Sequence, residues 1–234
     1  MAGRGRKAED SFAFYKRQME QINRDDLRVD GPADAAATFL FAHGAGAPMD
    51  SGFMNRVAEG IGARGVRVVR FEFPYMAKRR TEGKRGAPDR EPVLRARWIE
   101  VVERFGGGPK VAVGGKSMGG RIASMVADEV GARALVCFGY PFHPPGQPTR
   151  LRTKHLETLK TPALILQGTR DSFGVPDEVS GYGLAPAIRV EWIESGDHSF
   201  KPPKSSGRTE ATNVERAIDL AASFLLSHAS VDES

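Results

Sequence analysis

The chain has 234 residues, the length of one domain, and an α/β layer architecture of this size can bury a substantial core. Apolar residues make up 40% and charged residues 27%, near the globular average, so the chain should fold, and no apolar run approaches the roughly 18 residues of a membrane span. The net charge of +5 comes with no zinc-ligand spacing and no aromatic RNA-binding signature, so neither nucleic acid nor a membrane is an expected partner.

In chain order, MAGRGRKAEDSFAF carries basic residues with no apolar segment behind them, so residues 1–26 read as a partly disordered tail and no secretory leader is expected. LRVDGPADA offers a short strand and turn, an antiparallel edge for the sheet. ATFLFAHG is a strand ending in a glycine loop, FMNRVAEGIGAR a helix and VRVVRFEF a strand. The stretch from Pro74 to about Pro92 is basic, holds Gly and Pro, and reads as a long loop. PVLRARWIEVVERF is a helix with a polar face; KVAVG is a strand, and Met118 to Val130 a helix. ARALVCFG, PALILQG and IRVEWIE are strands, and Glu210 to Ser227 is the last helix. Strands alternating with helices imply βαβ units and a mostly parallel sheet within one domain spanning 27–228, with 229–234 as a C-terminal tail. Cys137, the sole cysteine, excludes an internal disulfide and reads as a small apolar residue at a strand end, which suits a reducing, cytoplasmic setting.

Parallel sheets gather function in the loops at the carboxyl ends of their strands. One such loop reads Gly115-Lys116-Ser117-Met118-Gly119, a G-x-S-x-G nucleophile elbow. The serine must sit in a strained strand-to-helix turn that leaves no room for side chains two residues before or after it. A chain with 27 glycines can produce the pentapeptide by chance, so its weight comes from context: a buried-strand run precedes it and a helical run comes after. A serine hydroxyl needs a base to take its proton, and the base needs an acid to orient it. Asp171 follows the strand ALILQG, and His198 follows IRVEWIE, so the chain order is Ser, Asp, His with all three on one rim.

The rival acids have other work: Asp177 and Glu178 look like the first turn of a helix after Pro176, and Asp197 should bond loop backbone. His143, His155 and His228 read as loop or surface residues, and His43 as a residue that holds its own loop. For the oxyanion, the N–H of Met118 is one expected donor and that of Ala45, in HGAGA, the other, with Gly46 as the fallback.

FAHGAGAPMDS, GGKSMGG, QGTRDSFG and SGDHSF together resemble the α/β-hydrolase family, in its small branch related to dienelactone hydrolases. FEFPYM with its basic sequel and YPFHPPGQPTRLRTKHL resemble the predicted hydrolases that include testis-expressed and chromatin-complex-associated homologues. Ser172 stands where that pattern commonly has proline. The likeness, over roughly 27–228, implies an α/β-hydrolase fold and a triad of Ser117, Asp171 and His198; it does not imply a substrate.

Only Tyr140 to Thr161 separates the strands between which a cap would be inserted, too little for a lid domain. The basic residues of 78–85, among them Arg79, Arg80, Lys84 and Arg85, and the trio Arg150, Arg152 and Lys154 come after strand ends and should share the rim. They either draw in an anionic acyl substrate or simply form a solvated rim. Tyr75, Phe142 and Phe173 are candidates for an apolar wall, and equally for core plugs. The expected activity is cleavage of an ester or thioester by a serine hydrolase, with no metal or organic cofactor. The alternatives are a non-catalytic binding or scaffold protein on the same fold, or an acyltransferase.

Overall fold

The structure, a computed structural model, describes residues 27–83 and 86–229. The expectations for the N-terminal tail, for Lys84 and Arg85, and for the last five residues therefore lie outside the described residues. In chain order the elements are β1 (Leu27–Asp30), β2 (Thr38–Ala42), α1 (Gly52–Gly62), β3 (Arg67–Phe71), α2 (Pro74–Glu82) and α3 (Glu91–Arg104). Then come β4 (Ala112–Lys116), α4 (Met118–Val130), β5 (Leu135–Phe138), β6 (Ala163–Gly168), α5 (Pro176–Val179), β7 (Ile188–Ile193) and α6 (Glu210–Ser227).

The seven strands make one sheet in the order β1-β3-β2-β4-β5-β6-β7, with β1 antiparallel to β3 and every other pair parallel. Alternate residues of each strand face opposite layers. Phe39 and Phe41 point into a core formed with α1 and α6, through Met54, Val57, Ile61, Val214, Ile218 and Leu225. Leu40 and Ala42 point into the other core, where α3 and α4 supply Leu94, Trp98, Val101, Ile122 and Val126. Helices cover both faces, which is why the central strands are apolar along most of their length. The edge strand β1 keeps Arg28 and Val29 exposed instead.

The segment after Pro74 corrects one expectation. Residues Pro74–Glu82 form α2, not a loop. Pro74 stands at the first helical position, where its missing N–H costs nothing, and Gly83 ends the helix in the left-handed conformation at φ 68°. Tyr75 and Met76 anchor the helix in the core, while Lys78 stays in solvent and Arg79 is half-buried. Between β5 and β6 the chain is irregular apart from a 3-10 turn at Lys154–Thr158, so no lid domain is inserted there.

From β2 the chain moves to β3 on one side and then returns to β4 on the other, with Ala42 paired to Gly115. The loops after β2 and β4 thus diverge from neighbouring strand ends and open a crevice at the carboxyl edge of the sheet. Ser117 stands at that crevice.

Candidate active site

Ser117 joins β4 directly to α4, and its backbone has φ 51° and ψ −116°, a conformation that costs a non-glycine residue about 1–3 kcal/mol. The glycines on either side make the turn possible. A Cβ on Gly115 would stand 2.6 Å from the Ala42 carbonyl oxygen, and one on Gly119 would stand 2.5 Å from the same atom. Alanine at either position would therefore drive the elbow off the end of β2.

The three loop residues converge. His198 Nε2 lies 2.9 Å from Ser117 Oγ, and His198 Nδ1 lies 2.8 Å from Asp171 Oδ2. A carboxylate can only accept, so the imidazole proton sits on Nδ1, and the lone pair on Nε2 faces the serine hydroxyl. Asp171 is fully buried. Gln167 Nε2 also donates to its Oδ2 at 2.9 Å, and the Phe173 N–H donates to its Oδ1 at 2.9 Å. Burial is the main influence on the imidazole and lowers the His198 pKa below its ordinary 6.5, against the opposing hydrogen bond to Asp171. The base is thus held unprotonated at neutral pH, with a quarter of its side chain open to solvent.

Peptide geometry orients the two backbone N–H groups expected as oxyanion donors. Met118 is the first residue of α4, so its N–H has no acceptor within the helix. The Gly44 carbonyl accepts from His43 Nδ1 at 2.7 Å and stands 3.4 Å from the Tyr75 hydroxyl. In a trans peptide the following N–H points the opposite way, so the bond from His43 turns the Ala45 N–H away from that imidazole. A Cβ on Gly44 would lie 3.6 Å from Ser117 Cβ, which places this loop against the elbow. His43 accepts from the Phe73 N–H through Nε2 at 3.2 Å, and burial lowers its pKa, so it is a neutral loop fastener, as the sequence suggested.

The alpha/beta hydrolase domain family matches residues 35–226. The chain belongs to the alpha/beta hydrolase family. It is similar to a carboxymethylenebutenolidase from Pseudomonas putida, 31% identical over 121 residues that cover 48% of this chain and 48% of that protein. The matched stretch spans about half the length of the curated relatives. Among solved structures it resembles a dienelactone hydrolase from Anabaena variabilis, at 22% identity over 87% of this chain and 92% of that one, with a TM-score of 0.66. It also resembles an α/β serine hydrolase without a lid from Xanthomonas campestris, at 16% identity over 86% of each chain, with a TM-score of 0.57. At these identities the structures show the fold alone.

The expected substrate contacts of this α/β-hydrolase fare unevenly. Phe173 lies beside the site, with its ring centroid 4.3 Å from that of His198. Phe142 does not: it is fully buried between Tyr140 and Tyr182 and plugs the core, with its backbone carbonyl held by the Arg152 N–H at 2.7 Å. Tyr75 is buried too, and its hydroxyl donates to the Ala45 carbonyl at 3.0 Å, so it braces the loop after β2 and offers no open wall. Arg80 is withdrawn from the rim. Its guanidinium forks between Glu72, at 2.6 and 3.1 Å, and Asp50, at 2.8 and 3.0 Å. Arg79 has no ion pair among the described residues, and it lines a depression of about 170 Å³ with Pro48, Met76 and Arg80. No triad side chain lines that depression.

The rival acids and histidines are held elsewhere, and Asp177 and Glu178 stand in the first turn of α5. Asp197 accepts from the N–H groups of Ser199 and Lys201. Glu178 bonds the Val175 N–H and His143, and His228 bonds the Phe224 carbonyl. His155 meets a second serine, Ser124, at 2.9 Å, yet no carboxylate pairs with it among the described residues. Two residues of the site escaped the sequence reading. Gln167 links the acid to the Tyr140 backbone, accepting from its N–H at 2.7 Å, and the only signal for it was a polar residue ending an apolar strand. Lys116 is the other, and its signal was a charged residue where the strand should be buried. Among the described residues, no group of three or more His, Cys, Asp or Glu is placed to hold a metal ion. No described helix is long and apolar enough to cross a membrane.

Proposed function

We propose that this α/β-hydrolase cleaves a carboxylic ester or thioester through an acyl-enzyme on Ser117. The observation that carries this reading is the 2.9 Å contact between Ser117 Oγ and the Nε2 lone pair of a histidine whose other nitrogen is held by a buried carboxylate. Ser117 Oγ attacks the substrate carbonyl carbon while His198 Nε2 takes its proton. Asp171 holds the imidazole in place and stabilises the imidazolium without taking a proton itself. The N–H groups of Met118 and Ala45 receive the negative charge that develops on the carbonyl oxygen. As the tetrahedral intermediate collapses, His198 returns the proton to the leaving alcohol or thiol. Water then enters, gives a proton to His198, and releases the acid by the same steps in reverse.

The likeness to a carboxymethylenebutenolidase supports a small acyl compound as substrate, reached without displacing a cap. The finer resemblance to the testis-expressed and chromatin-complex-associated hydrolases rests on the motif residues alone. With Arg80 held by two carboxylates, Arg79 and the Arg150, Arg152 and Lys154 trio remain to attract an anionic group. If they do, turnover of anionic esters falls as salt is raised while that of neutral esters does not.

A fluorophosphonate probe tests the reading directly. Wild-type protein takes up one label, Ser117→Ala takes up none, and a panel of p-nitrophenyl esters with short, long and anionic acyl groups finds the substrate class. A folded wild-type protein that stays unlabelled returns the chain to the scaffold reading, and product formed only with an added alcohol or amine identifies an acyltransferase.

A further inference from the structure

Lys116 ends β4 beside Ser117, yet it is largely buried: the residue is only 9% exposed. Burying an ammonium is costly unless it is hydrogen-bonded and balanced by charge, and the acyl chemistry of Ser117 does not use this one. Its contacts explain where it goes. Lys116 Nζ donates to the backbone carbonyl of His198 and lies 5.5 Å from the ring centroid of Phe53. The path is kept open by Gly139, in the loop after β5. A Cβ there would stand 2.7 Å from Lys116 Nζ and 2.8 Å from the His198 carbonyl oxygen. On the other side, the Lys116 stem passes Gly44, where a Cβ would be 3.6 Å from Lys116 Cγ. The side chain therefore runs under the site and meets the loops after β2, β5 and β7.

The charged groups that face it are Asp171, from the loop after β6, and Asp197, from the loop after β7, together with the imidazole of His198. Both carboxylates favour an imidazolium at His198, and an imidazolium cannot accept the Ser117 proton. A fixed positive charge close by has the opposite effect.

We propose that Lys116 is a positioning residue of this site: its buried ammonium ties the His198 loop to the elbow and offsets the two carboxylates that flank the imidazole. For its effect on rate, this role rests on the serine-hydrolase reading; for its effect on His198, it does not. Burial pulls the Lys116 ammonium down to about 8, while Asp171 and Asp197 resist. The strut therefore begins to discharge just above neutral pH.

The test follows the His198 imidazole by NMR in histidine-labelled protein as pH is varied, in wild type, Lys116→Met and Lys116→Arg. Removing the charge should move the His198 titration to higher pH in Lys116→Met, and Lys116→Arg should restore it towards wild type. In wild type alone, the His198 signals should shift again near pH 8 as the lysine loses its proton. An unmoved titration in folded Lys116→Met overturns the proposal. If that variant does not fold, the absence of the second shift in wild type overturns it instead. Fluorophosphonate labelling at neutral pH should be on the order of tenfold slower in Lys116→Met, the cost of a misplaced base, and equal rates also overturn the proposal. A wild type inert to the probe sinks the hydrolase reading, whereas the titrations still decide the role of Lys116.

Discussion

Helix α4 presents two serines to two histidines, and the pairs behave in opposite ways. Ser117, at the helix start, lies 2.9 Å from His198; Ser124, two turns on, lies 2.9 Å from His155. Distance does not tell them apart, but the placement of protons does. Asp171 fixes the His198 proton on Nδ1, leaving a basic lone pair towards the Ser117 hydroxyl. The single proton of Ser124 is already given to the Arg121 carbonyl at 2.7 Å, and that of Tyr140 to the Arg152 carbonyl at 3.2 Å. With those protons placed so, both oxygens accept from His155 and its Nε2 carries the hydrogen. One histidine is poised to remove a proton; the other supplies one to a satisfied buried network. A serine and a histidine in contact make a nucleophile only when a third group sets the tautomer.

The largest effect should separate the two serines outright. Ser117→Ala should cost on the order of a millionfold in turnover and abolish fluorophosphonate labelling. Ser124→Ala should leave the labelling rate within about twofold, because it touches no group of the acyl chemistry. Equal losses in the two variants would erase the distinction. Next in size, Asp171→Asn should lower kcat on the order of ten-thousandfold with the fold intact, because an amide that donates to Nδ1 forces the proton onto Nε2 and turns the His198 pair into a copy of the His155 pair. Steady-state kinetics with the best ester of the panel measures both.

The Ser117 side of this contrast was legible in the sequence, whereas the bond between Ser124 and His155 was not. Ser117, Asp171 and His198 come after strand ends in a fixed order, and strand ends are what an alternating βαβ pattern locates best. The glycines of the elbow were legible as well, since a tight approach to Ala42 allows nothing larger. What stayed hidden depends on which way a side chain turns after its strand ends. Arg80 reads as a free rim cation until Asp50 and Glu72, far from it in sequence or just past the preceding strand, fold onto it. Phe142 and Tyr75 read as wall or plug with equal ease, and only their burial decides. The α2 segment reads as a loop because proline and glycine punctuate loops and bracket helices alike. Gln167 and Lys116 give no signal of their role because a polar residue at a strand end announces no partner.

The two histidines should also part company in acid. The His198 pKa is lowered, so labelling should persist below pH 6.5 and fall only as pH drops through the lower folded-state value. His155 is pushed down to about 4, chiefly by burial and then by Arg121 and Arg95. It acts on stability instead. Between pH 6.5 and about 4 the unfolded chain takes up a proton that the folded chain refuses, so this contribution is whole above 6.5 and is lost on the way down to 4. His155→Gln should flatten part of that decline in urea midpoints while leaving the acid limb of labelling in place. A labelling limb that moves with His155→Gln would show the two clusters to be coupled.

The smallest effect concerns Ser124 itself. Its removal takes away a bond from Ser124 Oγ to the Arg121 carbonyl and one acceptor from His155. The loss is limited for two reasons. The Tyr140 hydroxyl oxygen stands 3.3 Å from His155 Nε2 and can keep that N–H occupied, and alanine is the better helix former at an interior position. Ser124→Ala should therefore cost about 1 kcal/mol, the net worth of one hydrogen bond, in a denaturant titration with unchanged slope. A loss of several kcal/mol would mean that the His155 proton has no second acceptor and that Tyr140 does not share it. In that case the inert pair is less securely satisfied than its geometry indicates, and the contrast with Ser117 rests on the missing carboxylate alone.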